Sequence, residues 1–241
     1  MRGREKLLAN YVLRTIVHII LFFLGSRKVF NSERIPKSGP FIAVTNHLSL
    51  ADSALLLISA PPMKLRFFAA EKYAKHPIYG PALKWLGAIF IHRGEADRQA
   101  ISEAFEALKD GQGFGMAPEG TRSHVGAMQR GKDGAVYLAL RTGAPIVPIG
   151  VVNTDLLFAN AKRFKRTRLE THVGEVLTLP DIGRRPRQRE LPAYTHYVMV
   201  HIAALIPPHY HGYYADSPAL AALLRGEDPW PYCLEAEGVL L

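Results

Sequence analysis

The chain has 241 residues, 48% of them hydrophobic, with a formal net charge of +9 and an isoelectric point near 9.7. That length and apolar content suffice to bury one core, while the basic balance favours an anionic partner and leaves nucleic acid, anionic lipid and phosphorylated substrate open. The single cysteine, Cys233, excludes an internal disulfide framework and a cysteine metal cluster.

Residues 7–24 read LLANYVLRTIVHIILFFL, too apolar for an ordinary surface helix yet interrupted by Arg14. Lys6, Asn10, Arg14 and His18 recur at steps of four, which draws a polar stripe along an apolar cylinder. Arg14 argues against a signal peptide, and at the centre of a spanning helix it would cost about 2.5–3.5 kcal/mol. The expectation is a helix lying in a membrane interface, Phe22 and Phe23 immersed and the cations toward headgroups. A helix packed in the protein's own core is the competing reading.

After a turn-rich stretch at 31–40, residues 41–44 form an apolar, β-prone run, and a helix is expected over 50–59, ended by Pro61-Pro62. His47 lies in the turn between them, with Asp52 five residues on. Two residues five apart on one helix point about 140° away from each other. His47 therefore meets Asp52 only from outside the helix, its ring folded back over the first turn. In the bland alternative Ser49-x-x-Asp52 is a near capping box, and Asp52 merely offsets the positive helix end.

Strands are expected at 65–70 and 87–91, a short helix at 77–86, and an amphipathic helix at 95–110. A buried strand at 114–117 runs into Pro118-Glu119-Gly120-Thr121-Arg122-Ser123. A helix at 132–142 and a strand at 146–152 follow, where Pro148 suggests a sheet edge or an irregularity. A strand pair near 170–173 and 176–179 precedes a helix at 192–206. The remainder, rich in Tyr, Pro and His, holds one small helix with Ser217 as its cap. Strands alternating with helices predict a single α/β domain, a mixed, mostly parallel sheet covered on both faces by helices. The expected divisions are a membrane-associating helix at 1–30, the α/β domain at 31–206, and a tail at 207–241 packed on it.

The 118–123 stretch is chemically dense. Gly120 permits a close backbone approach, Thr121 and Ser123 offer hydroxyls, and Arg122 can grip a phosphate with a bidentate fork. Glu119 is read as the partner that holds Arg122, and Arg93 as a second fork. In open α/β sheets, ligands bind at the carboxyl ends of strands. His47, Arg93 and Glu119 to Arg122 all follow such strands, which moves the His47–Asp52 pair from capping toward catalysis.

Asn46-His47-x4-Asp52, Ile89-Phe90-Ile91-His92-Arg93, Pro118-Glu119-Gly120-Thr121-Arg122-Ser123 and Ala144-Pro145-Ile146-Val147-Pro148 resemble, in order and spacing, the four blocks of the glycerolipid acyltransferases. The resemblance is nearest the PlsC-like 1-acyl-glycerol-3-phosphate acyltransferases and covers residues 41–152. Two positions depart from the pattern: His92 stands where Asp is common before the Arg, and Ala117 where an aromatic is common. The resemblance implies transfer of a fatty acyl chain from acyl-CoA or acyl carrier protein to the sn-2 hydroxyl of lysophosphatidic acid, giving phosphatidic acid. It makes His47 and Asp52 catalytic. Arg93, Glu119, Gly120, Thr121 and Arg122 become the acceptor phosphate site. No metal and no bound cofactor are expected.

The implied partner is a membrane lysophospholipid, with acyl carrier protein as a candidate donor and no nucleic acid. The implied location is the cytoplasmic face of the cell membrane. The basic run at 162–168, with Arg184, Arg185, Arg187 and Arg189, either attracts anionic lipid or is a plain solvated loop. Competing functions are acylation of another lysolipid (lyso-ornithine lipid, lysophosphatidylglycerol), a non-catalytic basic binding protein, and a hydrolase.

Overall fold

The computed structural model describes residues 3–59, 65–77, 79–91 and 98–240. Among them the elements run α1 (Gly3–Leu24), β1 (Gly25–Phe30), β2 (Phe41–Thr45), α2 (Ala51–Ser59), β3 (Leu65–Ala70), α3 (Tyr79–Leu86), β4 (Ala88–Ile91) and α4 (Arg98–Lys109). There follow β5 (Gly113–Met116), α5 (Gly134–Thr142), β6 (Ile146–Val152), α6 (Leu157–Lys162), β7 (Thr167–Val173), α7 (Leu191–Ala203), α8 (Pro218–Leu224) and α9 (Trp230–Ala236). The helix stop at Pro61-Pro62 and the expected helix start at Glu95 lie outside the described residues.

One seven-stranded sheet has the order β1-β7-β6-β2-β5-β3-β4. Every neighbouring pair is parallel except β6–β7, so β1 and β7 run against the other five strands. The central strands alternate as the pleat demands. Ile42, Val44, Ile146 and Val152 pack with α4, α5 and α7. Phe41, Ala43, Val147 and Ile149 face the opposite layer, where Val151 meets Leu55 and Ile58 of α2 and Leu21 of α1. The mixed, mostly parallel sheet with helices on both faces is as expected.

Three expectations need correction. β1 was not foreseen, because Gly-Ser-Arg-Lys-Val-Phe carries no apolar run; it is an edge strand whose middle residues are exposed. Pro148 marks an irregularity and not an edge: β6 lies inside the sheet between β7 and β2. The antiparallel ladder to β7 begins only at Ile149, and the Pro148 carbonyl accepts from Gly174 N–H at 2.9 Å. The proline thus stands at the ladder's mouth, where its missing N–H deprives no partner. Of the expected second strand at 176–179, only a bridge between Leu177 and Ile146 forms.

α1 turns its polar stripe the other way. Val17, Leu21 and Leu24 pack onto α2 and β6, and on that inward side His18 Nδ1 meets Arg27 Nη1 of β1 at 3.2 Å. Burial lowers the pKa of Arg14 below its ordinary value. Lys6 and Asn10, the rest of the stripe, lie outside the described side chains. The outward face is apolar: Val12, Ile16, Ile19, Ile20 and Phe23 are 45–73% exposed. Among the described residues no helix is long and apolar enough to cross a membrane.

Residues 207–240 contribute side chains to the main core. Tyr210, Tyr214, Ala219, Leu220 and Cys233 share a cluster with α5 and α7. Ser217 caps α8 as expected, accepting from Leu220 N–H, and α9 is a further helix that the sequence reading left out.

Part of the arginine run at 184–189 has a structural task. Arg184 forks onto Glu190 at 2.7 and 2.8 Å, and Arg187 N–H donates to the same carboxylate at 2.7 Å, just before α7. The Arg184 guanidinium, with that N–H, holds the Glu190 carboxyl down at about 2 against an ordinary 4.5. A depressed carboxylate contributes stability above its unfolded pKa and loses it as pH falls through the folded one. Glu190→Gln is therefore expected to melt below wild type above pH 4.5, with the gap closing as pH falls toward about 2. Paired thermal melts across that range check it.

Candidate active site

β2, β5 and β6 are adjacent and parallel, so their carboxyl ends emerge along one edge of the sheet. Asn46, the first residue past β2, extends the β2–β6 ladder with its side chain. Its Nδ2 donates to Val151 O at 2.9 Å, and its Oδ1 accepts from Val151 N–H at 2.8 Å. A buried amide satisfied from both sides fixes the turn, and His47 leaves it at a set angle.

His47 stands outside α2, as its spacing from Asp52 requires. Its Nδ1 lies 2.8 Å from Asp52 Oδ2. The same oxygen accepts from Ser49 N–H at 2.8 Å, and Ser49 Oγ accepts from Ala51 N–H at 3.0 Å. Capping and pairing with the histidine are thus one arrangement, not rivals. Asp52 is 1% exposed, and its other oxygen, Oδ1, is buried without a hydrogen bond. A carboxylate facing Nδ1 requires that nitrogen to donate. The neutral ring then keeps its acceptor lone pair on Nε2, the form a general base needs.

The loop after β5 holds the histidine's main chain on both sides. Glu119 Oε1 accepts from His47 N–H at 2.9 Å, and Ser123 N–H donates to His47 O at 2.8 Å. Glu119 Oε2 accepts from Gln129 N–H at 2.9 Å. Burial pushes the Glu119 carboxyl up, against the N–H groups of Gln129 and His47 that hold it down. Among the described residues no ion pair joins Glu119 to Arg122, so Glu119 organises the turn and not the arginine. Ser123 Oγ also turns inward, accepting from Val125 N–H and Ala127 N–H at 3.2 and 3.1 Å. Gly120 takes φ +71°, a conformation that suits glycine. Thr121 and Arg122 follow it, both partly buried. Arg93 lies outside the described residues.

A family model described as Acyltransferase matches residues 26–152, more than half of the chain. The chain belongs to the acyltransferase family. The 1-acyl-sn-glycerol-3-phosphate acyltransferase of Borreliella burgdorferi is similar at 29% identity over 155 residues, 63% of this chain and 61% of that protein. The Bacillus subtilis protein of the same name is similar at 27% over 177 residues, 73% of this chain and 86% of its own length. The chain therefore spans under two thirds of the first relative and most of the second. Among solved structures, the 1-acyl-sn-glycerophosphate acyltransferase PlsC of Thermotoga maritima superposes with a TM-score of 0.67 at 28% identity, covering 85% of this chain and 82% of that one.

This acyltransferase-family site also contains residues that the sequence reading missed. A Cβ on Gly120 would lie 3.2 Å from Lys132 Nζ and 3.3 Å from its Cδ, so the lysine stem runs along the glycine. Lys132 N–H donates to Pro118 O at 2.9 Å, which holds the stem there. Glycine in a turn read as an anion site was the one available signal, and it named no partner. The tail reaches the same loop. Met128 exchanges main-chain hydrogen bonds with Tyr210 and Tyr213 at 2.8 and 2.9 Å, and Tyr214 OH accepts from Gly131 N–H at 2.9 Å. At Gly212, φ +52°, a Cβ would fall 2.2 Å from Met128 O. Only glycine lets the tail approach so closely.

Proposed function

We propose that this chain transfers a fatty acyl group from acyl-CoA or acyl carrier protein to the sn-2 hydroxyl of 1-acyl-glycerol-3-phosphate, yielding phosphatidic acid at the cytoplasmic face of the cell membrane. The observation that carries the reading is the 2.8 Å contact between His47 Nδ1 and a buried carboxylate, at a sheet edge where Glu119 fixes the histidine's own main chain. His47 Nε2 takes the proton from the acceptor hydroxyl as its oxygen attacks the thioester carbonyl. Asp52 holds the tautomer and stabilises the imidazolium that forms. The tetrahedral intermediate collapses, the C–S bond breaks, and the imidazolium returns the proton to the departing thiolate. No enzyme nucleophile is required, because the acceptor is itself the alcohol.

Arg122, two residues past Gly120, and Lys132, whose stem lies along that glycine, supply positive charge for the acceptor phosphate. The motif resemblance assigns Arg93 the same work, and Thr121 helps shape the pocket. Holding the phosphate turns a bimolecular attack into a positioned one. The outward apolar face of α1 supports membrane association: a water-soluble domain would bury Ile16, Ile19 and Phe23 and expose Arg14.

The reading is tested with purified protein, labelled acyl donor and a panel of lysophosphatidic acid, lyso-ornithine lipid and lysophosphatidylglycerol. Lysophosphatidic acid is expected to show the highest kcat/KM; no transfer to it, or better transfer to another acceptor, overturns the assignment. Arg122→Ala is expected to raise the acceptor KM about tenfold or more, the order of one charge-assisted hydrogen bond, with little change in kcat. An unchanged KM removes the phosphate role.

A further inference from the structure

The loop that joins α6 to β7 has a side chain the reaction does not use. Phe164 is 99% exposed and has φ +56°. It follows the end of α6, where Phe164 N–H donates to Ala161 O at 3.1 Å and Lys165 N–H to Asn160 O at 2.9 Å. A left-handed residue after a helix is usually Gly or Asn, because a bulky side chain is strained there. Phenylalanine is thus unfavourable twice over, in its backbone and in a ring left wholly in water. Neither cost serves the fold, since glycine would make the same turn better.

The surroundings indicate what the ring meets. Residues 156–169 hold five cations and no carboxylate, and Phe158 is a further exposed apolar side chain at 51%. Arg166 Nη2 donates to Phe22 O at 2.7 Å and to Gly25 O at 2.9 Å, which ties the loop to the end of α1. There Phe22 and Phe23 are 67% and 73% exposed. The register sets the level: Gly25 pairs with Thr167, while Glu170 already pairs with Val152, the last residue of β6. The loop and the end of α1 therefore project beyond the sheet edge from which His47 emerges. Laterally, β7 lies two strand spacings from β2 and β1 lies three, about 10 and 14 Å across the sheet.

We propose that the α6–β7 loop is a second membrane anchor, in which Phe164 enters the interfacial layer of an anionic bilayer while Lys162, Arg163 and Lys165 meet headgroup phosphates. The proposal rests on the reading that the acceptor is a bilayer lipid. Aromatic side chains favour the headgroup level, and each cation near an anionic surface adds attraction. With the adjoining apolar face of α1, the loop holds the His47 edge toward the headgroups where a lysolipid hydroxyl lies.

The test is sedimentation of the full chain with phosphatidylglycerol–phosphatidylcholine vesicles and with phosphatidylcholine alone. Phe164→Gly is expected to melt at or above the wild-type temperature and to partition about tenfold more weakly into the anionic vesicles, the order for withdrawing one phenylalanine from an apolar layer. Joint replacement of Lys162, Arg163 and Lys165 by glutamine is expected to abolish the preference for anionic vesicles. Partitioning of Phe164→Gly equal to wild type overturns the anchor, as does a wild type with no preference for anionic lipid. Binding that high salt removes equally from wild type and Phe164→Gly also overturns it, and points instead to a polyanion such as nucleic acid. Acyl transfer to a short-chain, water-soluble lysophosphatidate without vesicles is expected to be equal for both proteins. If neither turns over, the acyl-transfer reading fails while the vesicle partition still decides the anchor.

Discussion

His47→Ala is expected to lower acyl transfer by about 10²–10⁴-fold, the range general-base catalysis contributes, while leaving the melting temperature close to wild type. The separation follows from how the residue is held. The surrounding loop binds its main chain, through Glu119 Oε1 and Ser123 N–H, and alanine keeps both contacts. The imidazole itself is 16% exposed and packs at the rim rather than in the core. Steady-state kinetics with saturating acceptor, beside a thermal melt, check both halves. Transfer at the wild-type rate would remove His47 from the mechanism.

Glu119→Ala is expected to do the reverse, unsettling the fold first and activity through it. Its carboxylate is 2% exposed and satisfies two main-chain donors, one on each side of the site, at His47 and Gln129. Truncation leaves both N–H groups without their acceptor, at about 1–3 kcal/mol each. Relief of the burial that raises its pKa offsets part of that loss. A net loss of about 2–4 kcal/mol is expected in urea unfolding. kcat falls in step, because the histidine's backbone is no longer fixed. Glu119→Gln, with one acceptor oxygen retained, should lie between. If Glu119→Ala unfolds with wild type, the carboxylate is not the fastener the geometry describes.

Much of this fold was legible because its central strands are short apolar runs and several of its helices, α4 and α5 among them, stop near a glycine. Residues 65–70 and 146–152 matched β3 and β6 residue for residue. Spacing set only the condition for the His47–Asp52 pairing, that the two meet across a turn; the pairing itself was read from the motif resemblance. What stayed hidden depended on the third dimension. β1 lies at an edge, where a strand needs little apolar signal. The Glu119–Arg122 pairing was the nearest one in sequence, yet the carboxylate faces main-chain donors that no side-chain pattern reveals. The stripe of Arg14 and His18 has helical period, and period alone does not say which face turns inward. Lys132 was hidden because its partner is a missing side chain, the empty space over Gly120.

The shared oxygen at Asp52 makes the start of α2 and the base a single unit. Ser49 N–H and His47 Nδ1 compete for no other acceptor here; both converge on Oδ2. Fraying of the first turn of α2 and loss of the histidine's tautomer are then one event rather than two. Exchange of the Ser49 amide proton therefore reports on the His47–Asp52 contact as well as on the helix start.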